Sequence, residues 1–253
     1  MAALPIAVQL YTLRDELAQD FAGTLRRVAE IGYRAVELYS YGGMSAPELR
    51  ALLHEIGLRP VSSHISLETL ESDPERAIAF ARELGCSFAG CPYLPEHRRG
   101  DAAAYRSVAA TLTRCGAIAR DHGLSFFYHH HDFEFQPLNG RTALDVLLEA
   151  THPDLVGLEV DVYWVAYAGL DPAAFMRTLG RRCRLLHLKD MAPDAARSFA
   201  EIGEGTLDLD AVVAAGQEVG VQWYIVEQDR ALQRTPLEAI RLSLENLKAK
   251  GWA

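Results

Sequence analysis

Basic residues are in deficit: 34 Asp and Glu stand against 25 Lys and Arg, a formal net charge of −9. That balance excludes a broad phosphate-backbone footprint, which needs Lys and Arg clustered on one face. Cysteine is scarce. Cys86, Cys91, Cys115 and Cys183 share no metal-type spacing and are too few for a disulfide scaffold, so reduced thiols in a cytoplasmic protein are the simplest reading. No apolar run approaches the ~20 residues of a membrane span. The opening MAALPIAVQLY has no positive n-region and only a short apolar stretch, and reads as a strand rather than a signal peptide. No linker, low-complexity run or charge block divides the chain. One domain over residues 1–253 follows, and 49% hydrophobic residues supply a large core.

A weak internal repeat is present. A helical pattern, then Gly, then a β-rich run recurs at AEIGYRAVEL, HEIGLRPVSSHI, ARELGCSFAG, ARDHGLSFFYHH and GQEVGVQWYIVE. Gly32, Gly57, Gly85, Gly123 and Gly220 each fall where a helix needs a left-handed residue before the chain turns into a strand. The spacing predicts strands over Ile6–Leu10, Ala35–Tyr39, Pro60–Ile65, Ser87–Cys91, Leu124–His130, Val156–Val162, Arg184–Lys189 and Gln222–Glu227, with helical patterns in the gaps. Eight strands each followed by a helix close into a (β/α)8 barrel of the α/β class. An open doubly wound sheet would call for a Gly-rich phosphate turn after the first strand, and QLYTLRDE has none.

Active sites of such barrels sit at the C-terminal strand ends. The densest end is LSFFYHHHDFEF, apolar at first and then rich in metal-ligand types. Alternation puts His129 and His131 on one face and His130 on the other, with Glu134 past the regular strand. Other ends carry Gln9, His64, Glu159 with Asp161, His187 with Lys189, and Glu227 with Asp229. Asp161 and Glu227 lie in otherwise apolar runs, where an unpaired charge is costly, so each calls for a cation. His187, between leucines, joins them as a ligand candidate, and His64 divides between core hydrogen bonding and proton transfer. Glu37 reads as a strand-end charge pairing Arg34 or Arg59. A carboxylate-rich set with one or two imidazoles suits one divalent ion, Mn²⁺ first, with Mg²⁺, Co²⁺ or Zn²⁺ as alternatives.

VQLYTLRDE, YHHHDFEF with the Gly140 loop, VDVYWVAYAGLDP, RLLHLKDM, IGEGTLD and WYIVEQD, in that order, resemble the xylose-isomerase-like TIM barrels of the sugar phosphate isomerase and epimerase family. The resemblance covers nearly the whole chain. It extends to sugar 3-epimerases, inosose dehydratases, enzymes cleaving oxidised glycosides and a metal-dependent endonuclease family. It implies one divalent metal held by Glu, Asp, His and Glu from the fifth to eighth strands, the last three matching Asp161, His187 and Glu227. Where the epimerases carry the first Glu, this chain has Tyr128 or His129. The nearest carboxylate, Glu134, is expected as the fourth ligand, with His129 or His131 as its replacement.

The chemistry implied is proton abstraction beside a sugar carbonyl, giving an enediolate. Glu227 is expected as the base, with Glu134, His64 or His131 carrying the proton on the other face. Lys189, His129, His131, Trp164 and Gln9 are expected to bind substrate, and the IGEGTLD loop to offer backbone amides or to be a plain turn. The enediolate reprotonates in an isomerase or epimerase, the first expectation, and expels a leaving group in a dehydratase or lyase acting on an inosose or 3-keto-glycoside. A phosphodiester-cleaving nuclease or a non-catalytic sugar-binding barrel would be the readings from another class. A small-molecule carbohydrate is the expected partner, without nucleic acid or membrane, and a homo-oligomer stays open.

Overall fold

The computed structural model describes residues 3–253. Eight strands close a parallel barrel: β1 (Ile6–Gln9), β2 (Ala35–Leu38), β3 (Arg59–His64), β4 (Phe88–Cys91), β5 (Ser125–His129), β6 (Val156–Asp161), β7 (Cys183–Leu188) and β8 (Trp223–Val226). They run in chain order around the barrel, and β1 pairs with both β2 and β8. Each predicted strand is present, shorter by one residue at one or both ends, with β3 and β7 beginning one residue earlier than expected.

The outer ring consists of α1 (Phe21–Ile31), α2 (Ala46–Glu55), α3 (Pro74–Leu84), α4 (Ala102–Asp121), α5 (Ala143–Ala150), α6 (Pro172–Leu179), α7 (Leu209–Val219) and α8 (Pro236–Ala249). Short helices at Arg14–Gln19, Leu67–Ser72 and Val162–Tyr167 are additional. Capping fixes where several begin. Thr142 accepts from the amide of Asp145, which caps Thr142 in return, and Thr235 and Glu238 do the same for α8. The five repeat glycines all take positive φ, between 73° and 120°. Gly85 and Gly220 are themselves the left-handed C-caps of α3 and α7, a conformation that a side chain disfavours.

The helices' apolar faces pack on the outside of the barrel in one continuous core. A second, smaller core fills the barrel interior: Ala7, Ala35, Val61, Phe88, Phe127, Leu185 and Ile225. The strand period of two then decides what comes next along the same face. Two residues beyond Ala7, Ala35, Phe127, Leu185 and Ile225 stand Gln9, Glu37, His129, His187 and Glu227, all buried. The apolar plug thus becomes the floor of a polar site. Ladder irregularities fall between Val36 and Glu37 and between Leu158 and Glu159, on that floor. Such bulges gather at barrel rims and re-aim side chains.

The plug has little slack. A methyl group added at Gly90 would stand 2.5 Å from the Phe127 ring, inside any real contact. Gly90→Ala should therefore cost about 1–3 kcal/mol of stability by overpacking. For a chain of this size that lowers the thermal midpoint by roughly 2–4 °C per kcal/mol, measurable by calorimetry. An unchanged midpoint would mean that the interior is looser than this geometry.

Candidate active site

Four side chains from four adjacent strands bring one potential ligand atom each into a single cluster. They are His129 Nε2 from β5, Asp161 Oδ2 from β6, His187 Nδ1 from β7 and a Glu227 carboxylate oxygen just past β8. All four residues are buried, and these atoms lie within 4.8 Å of one another. His129 holds Nδ1 3.0 Å from the carbonyl of Pro92, which can only accept, so that nitrogen carries the proton and donates it. Nε2 is thereby left facing Asp161 Oδ2 at 3.4 Å. His187 Nδ1 stands 2.8 Å from Glu227 Oε2, yet both atoms lack a hydrogen-bond partner. Asp161 Oδ1 is anchored by the amides of Tyr163 and Trp164, at 2.9 and 3.1 Å, where it caps the short helix that follows. That leaves Oδ2 for the cluster.

Orphaned acceptors facing one another in a buried site cost free energy unless a positive charge lies between them. Lys189 supplies part of it. Its Nζ is 2.9 Å from Asp161 Oδ2, 2.7 Å from Glu227 Oε2 and 2.7 Å from Asp229 Oδ2, with the hydrogen bond directed to Asp229. Burial alone would raise the Glu227 carboxyl, but Lys189 and His187 outweigh it and hold the group well below the usual carboxylate range. Burial would likewise lower His187, and the Glu159 and Glu227 carboxylates instead push it well up. Both shifts have one origin, carboxylates and cationic groups packed against one another out of water. Two carboxylates and two imidazoles at such spacing are a donor set that fits one divalent ion.

Glu134, expected as a ligand, is not brought to this point. Its carboxylate turns back on its own segment, accepting the Tyr128 hydroxyl on Oε1 and the His131 amide on Oε2, the latter at 2.8 Å. His129 occupies the position instead, the replacement the sequence allowed. Gln9 is also turned inward: its amide nitrogen donates to Glu37 at 2.7 Å and its carbonyl accepts the Tyr11 amide at 2.9 Å, so it does not face substrate. The amides of Gly203, Gly205 and Leu207 in IGEGTLD are spent on the Asp190 carboxylate, at 3.0–3.1 Å, so this loop is a turn around Asp190. His130 points to the other side, accepting the Asp161 amide at 3.2 Å, and burial pushes its imidazole down to about 4.

Two residues given no site role from the sequence, Glu37 and Glu159, stand in the site. Glu37 is fully buried and pairs neither arginine: Arg34 donates to backbone carbonyls, and Arg59 stacks on Trp223. It contacts His187 Nε2 at 2.6 Å and His64 Nε2 at 3.3 Å. Glu159 accepts from His64 Nε2 at 2.8 Å. Their signal was present, since Glu37 and Glu159 lie two residues from apolar inward positions or from Asp161, on the same face.

The cluster opens into a cleft of about 490 Å³, lined by Tyr11, Tyr39, His64, Tyr93, His129, His131, Glu227 and Asp229 among others. Trp164 stands behind His131, ring centres 5.8 Å apart, and is not part of that lining.

A model of the xylose isomerase-like TIM barrel family matches residues 25–250. The chain belongs to that family. Among curated relatives, an inosose dehydratase of Geobacillus kaustophilus is 26% identical over 86% of this chain and 82% of its own. One from Clostridium beijerinckii is also 26% identical, over 54% of its length. Among solved structures, a sugar phosphate isomerase/epimerase of Parabacteroides distasonis superposes with a TM-score of 0.86 at 25% identity, over 100% of this chain and 96% of that one. The dehydratase and the isomerase or epimerase are therefore both represented among the similar proteins. No helix among the described residues is long and apolar enough to cross a membrane, and the four cysteines are buried and unpaired.

Burial raises the Glu134 carboxyl from its ordinary 4.5 to about 7, against the opposing pull of the Tyr128 hydroxyl and the His131 amide. A carboxyl raised in the folded state binds its proton more tightly there. Its contribution is complete below about pH 4.5 and is lost as pH rises through about 7, on the order of 3 kcal/mol in all. Denaturant titrations between pH 4.5 and 8 should show this loss in the native protein and not in Glu134→Gln. Parallel curves for the two proteins would refute it.

Proposed function

We propose that this chain is a metal-dependent dehydratase, eliminating water from an uncharged keto-polyol such as an inosose. The observation that carries this reading is the one-sided placement of acid groups in the cleft. Its lining carboxylates, Glu227 and Asp229, both come from the end of β8, while Glu134 is turned away into the protein. A pair of carboxylates on opposite faces would suit epimerisation at one carbon, whereas one carboxylate base with an imidazole across the cleft suits elimination, in which the second group serves the departing hydroxyl. The similarity to inosose dehydratases supports the same choice. This displaces isomerisation or epimerisation as the first reading. The cleft lining contains no Lys or Arg among the described residues, which favours a substrate without phosphate.

In this reading His129, Asp161, His187 and Glu227 hold one divalent ion. When bound, such an ion polarises a carbonyl oxygen and stabilises the negative charge that develops on it. Two imidazoles in the set shift its preference from Mn²⁺ toward Zn²⁺ or Co²⁺. Glu227 takes the proton from the carbon beside the carbonyl. His64 stands three strands away around the barrel, on the cleft wall. Burial would lower its imidazole, but Glu37 and Glu159 outweigh it and raise it to about 10, so it holds a proton on Nε2 beside Glu159, and in this reading that proton goes to the leaving hydroxyl. Asp229, held by Lys189, is placed to accept a substrate hydroxyl.

Metal analysis after dialysis should find about one ion per chain. His129→Asn and Asp161→Ala should lose it, and Glu134→Gln should keep it. Retention by the first two with loss in the third would restore Glu134 as the ligand.

The reaction is tested on a panel of inososes, 3-keto-glycosides and keto-sugars, with added Zn²⁺, Co²⁺ or Mn²⁺, in deuterated water. Water loss from an inosose, reduced roughly a hundredfold or more in His64→Gln while metal binding persists, is the expected result. Deuterium entry into a keto-sugar without elimination would favour the isomerase or epimerase instead.

A further inference from the structure

His187 is the only proposed ligand whose second nitrogen meets a carboxylate. Its ring is fully buried, and once a metal takes one nitrogen the imidazole keeps a single proton, on the other. Nε2 lies 2.6 Å from Glu37 Oε1, a contact that only an N–H on that nitrogen makes favourable. Nδ1 then keeps its lone pair, and it is this nitrogen that joins the cluster opposite Glu227.

Glu37 is itself held rigidly. Oε1 accepts the Gln9 amide at 2.7 Å, and Oε2 accepts the Ser62 hydroxyl. The Gln9 amide cannot turn over without losing the Tyr11 amide that its carbonyl accepts. Three donors from β1, β3 and β7 thus converge on one carboxylate from β2. No side chain of this set lies in the cleft lining, so neither substrate contact nor solubility accounts for it.

We propose that Glu37 is a positioning residue: it keeps the His187 proton on Nε2 and so presents Nδ1 to the metal. This role rests on the metal site described above. A carboxylate behind a ligating histidine fixes ring orientation and tautomer and raises the ligand's basicity, and its loss costs roughly 10–100-fold in metal affinity.

A second ion among Glu37, His64, Glu159 and His187 is the competing role, because those donor atoms also lie within 4.8 Å of one another. The contacts there differ in kind from the first cluster. His187 to Glu37 and His64 to Glu159, at 2.6 and 2.8 Å, are hydrogen bonds, and the one unpartnered atom there, Glu159 Oε1, faces no second orphan. In the first cluster, by contrast, His187 Nδ1 and Glu227 Oε2 stand 2.8 Å apart with no hydrogen-bond partner for either.

The test uses Zn²⁺ and the full chain. Competition against a chelator should give native protein and Glu37→Gln the same stoichiometry of about one ion, with the variant's affinity roughly 10–100-fold weaker. Nitrogen NMR of histidine-labelled, zinc-loaded native protein should show His187 protonated at Nε2 and metal-bound at Nδ1, a reading that needs no variant to fold. Zinc on Nε2, a native stoichiometry of two falling to one in Glu37→Gln, or equal affinity in a folded variant would each overturn the role. If native protein takes up no zinc, the site itself fails. If native protein binds zinc, Asp161→Ala does not, and Glu37→Gln matches native, only the role of Glu37 falls.

Discussion

Five carboxylates, those of Glu37, Glu159, Asp161, Glu227 and Asp229, gather at one end of the barrel around a single ammonium, that of Lys189. Removing that much negative charge from water costs on the order of several kcal/mol per group unless it is paired and hydrogen-bonded. The surrounding structure is arranged to meet that cost. Lys189 bridges three of the acids, while His64 and His187 lie between the deeper pair. What remains unmet is local: His187 Nδ1 and Glu227 Oε2, which face each other without a hydrogen-bond partner. The apolar plug of Phe88, Phe127, Leu185 and Ile225 beneath them shuts water out from below, which makes each electrostatic contact above it stronger. Fold and site are therefore a single problem, because the same strand faces supply both layers.

That layering also explains what the sequence made legible. Helix–Gly–strand repeats and eight β-rich runs gave the barrel, since turn chemistry and periodicity are local signals. Asp161, His187 and Glu227 were legible because a charged or ionisable residue inside an apolar run stands out. Glu37 was misread for a physical reason. A carboxylate three residues after Arg34, with Arg59 at the start of the next strand, looks like half of a surface ion pair, and only barrel closure shows that its partners are Gln9, Ser62 and His187, from three other strands. The ladder irregularities at Glu37 and Glu159 were equally hidden, because a bulge has no fixed composition. Glu134 failed in the opposite direction. Spacing placed it close to the histidines, but a short 3₁₀ turn over Phe133–Phe135 folds it back onto Tyr128 and the His131 amide.

The reaction was the least legible part, and the fold does not determine it. Abstraction of a proton beside a carbonyl is common to isomerases, epimerases and dehydratases, so the ligands shared among them cannot separate their outcomes. The distinction lies in where the remaining titratable groups stand relative to the substrate plane. In the proposed reading His129 stands at the first ligand position in place of a carboxylate, which leaves the ligand set with two negative charges in place of three. A divalent ion held there would be neutralised by its ligands without a surplus of negative charge, and would stabilise charge developing on a substrate oxygen better than a three-carboxylate set. In the same reading the His64 imidazole, rather than a second carboxylate, serves the departing hydroxyl. The residue at the end of β5 would thereby bear on both the metal and the reaction.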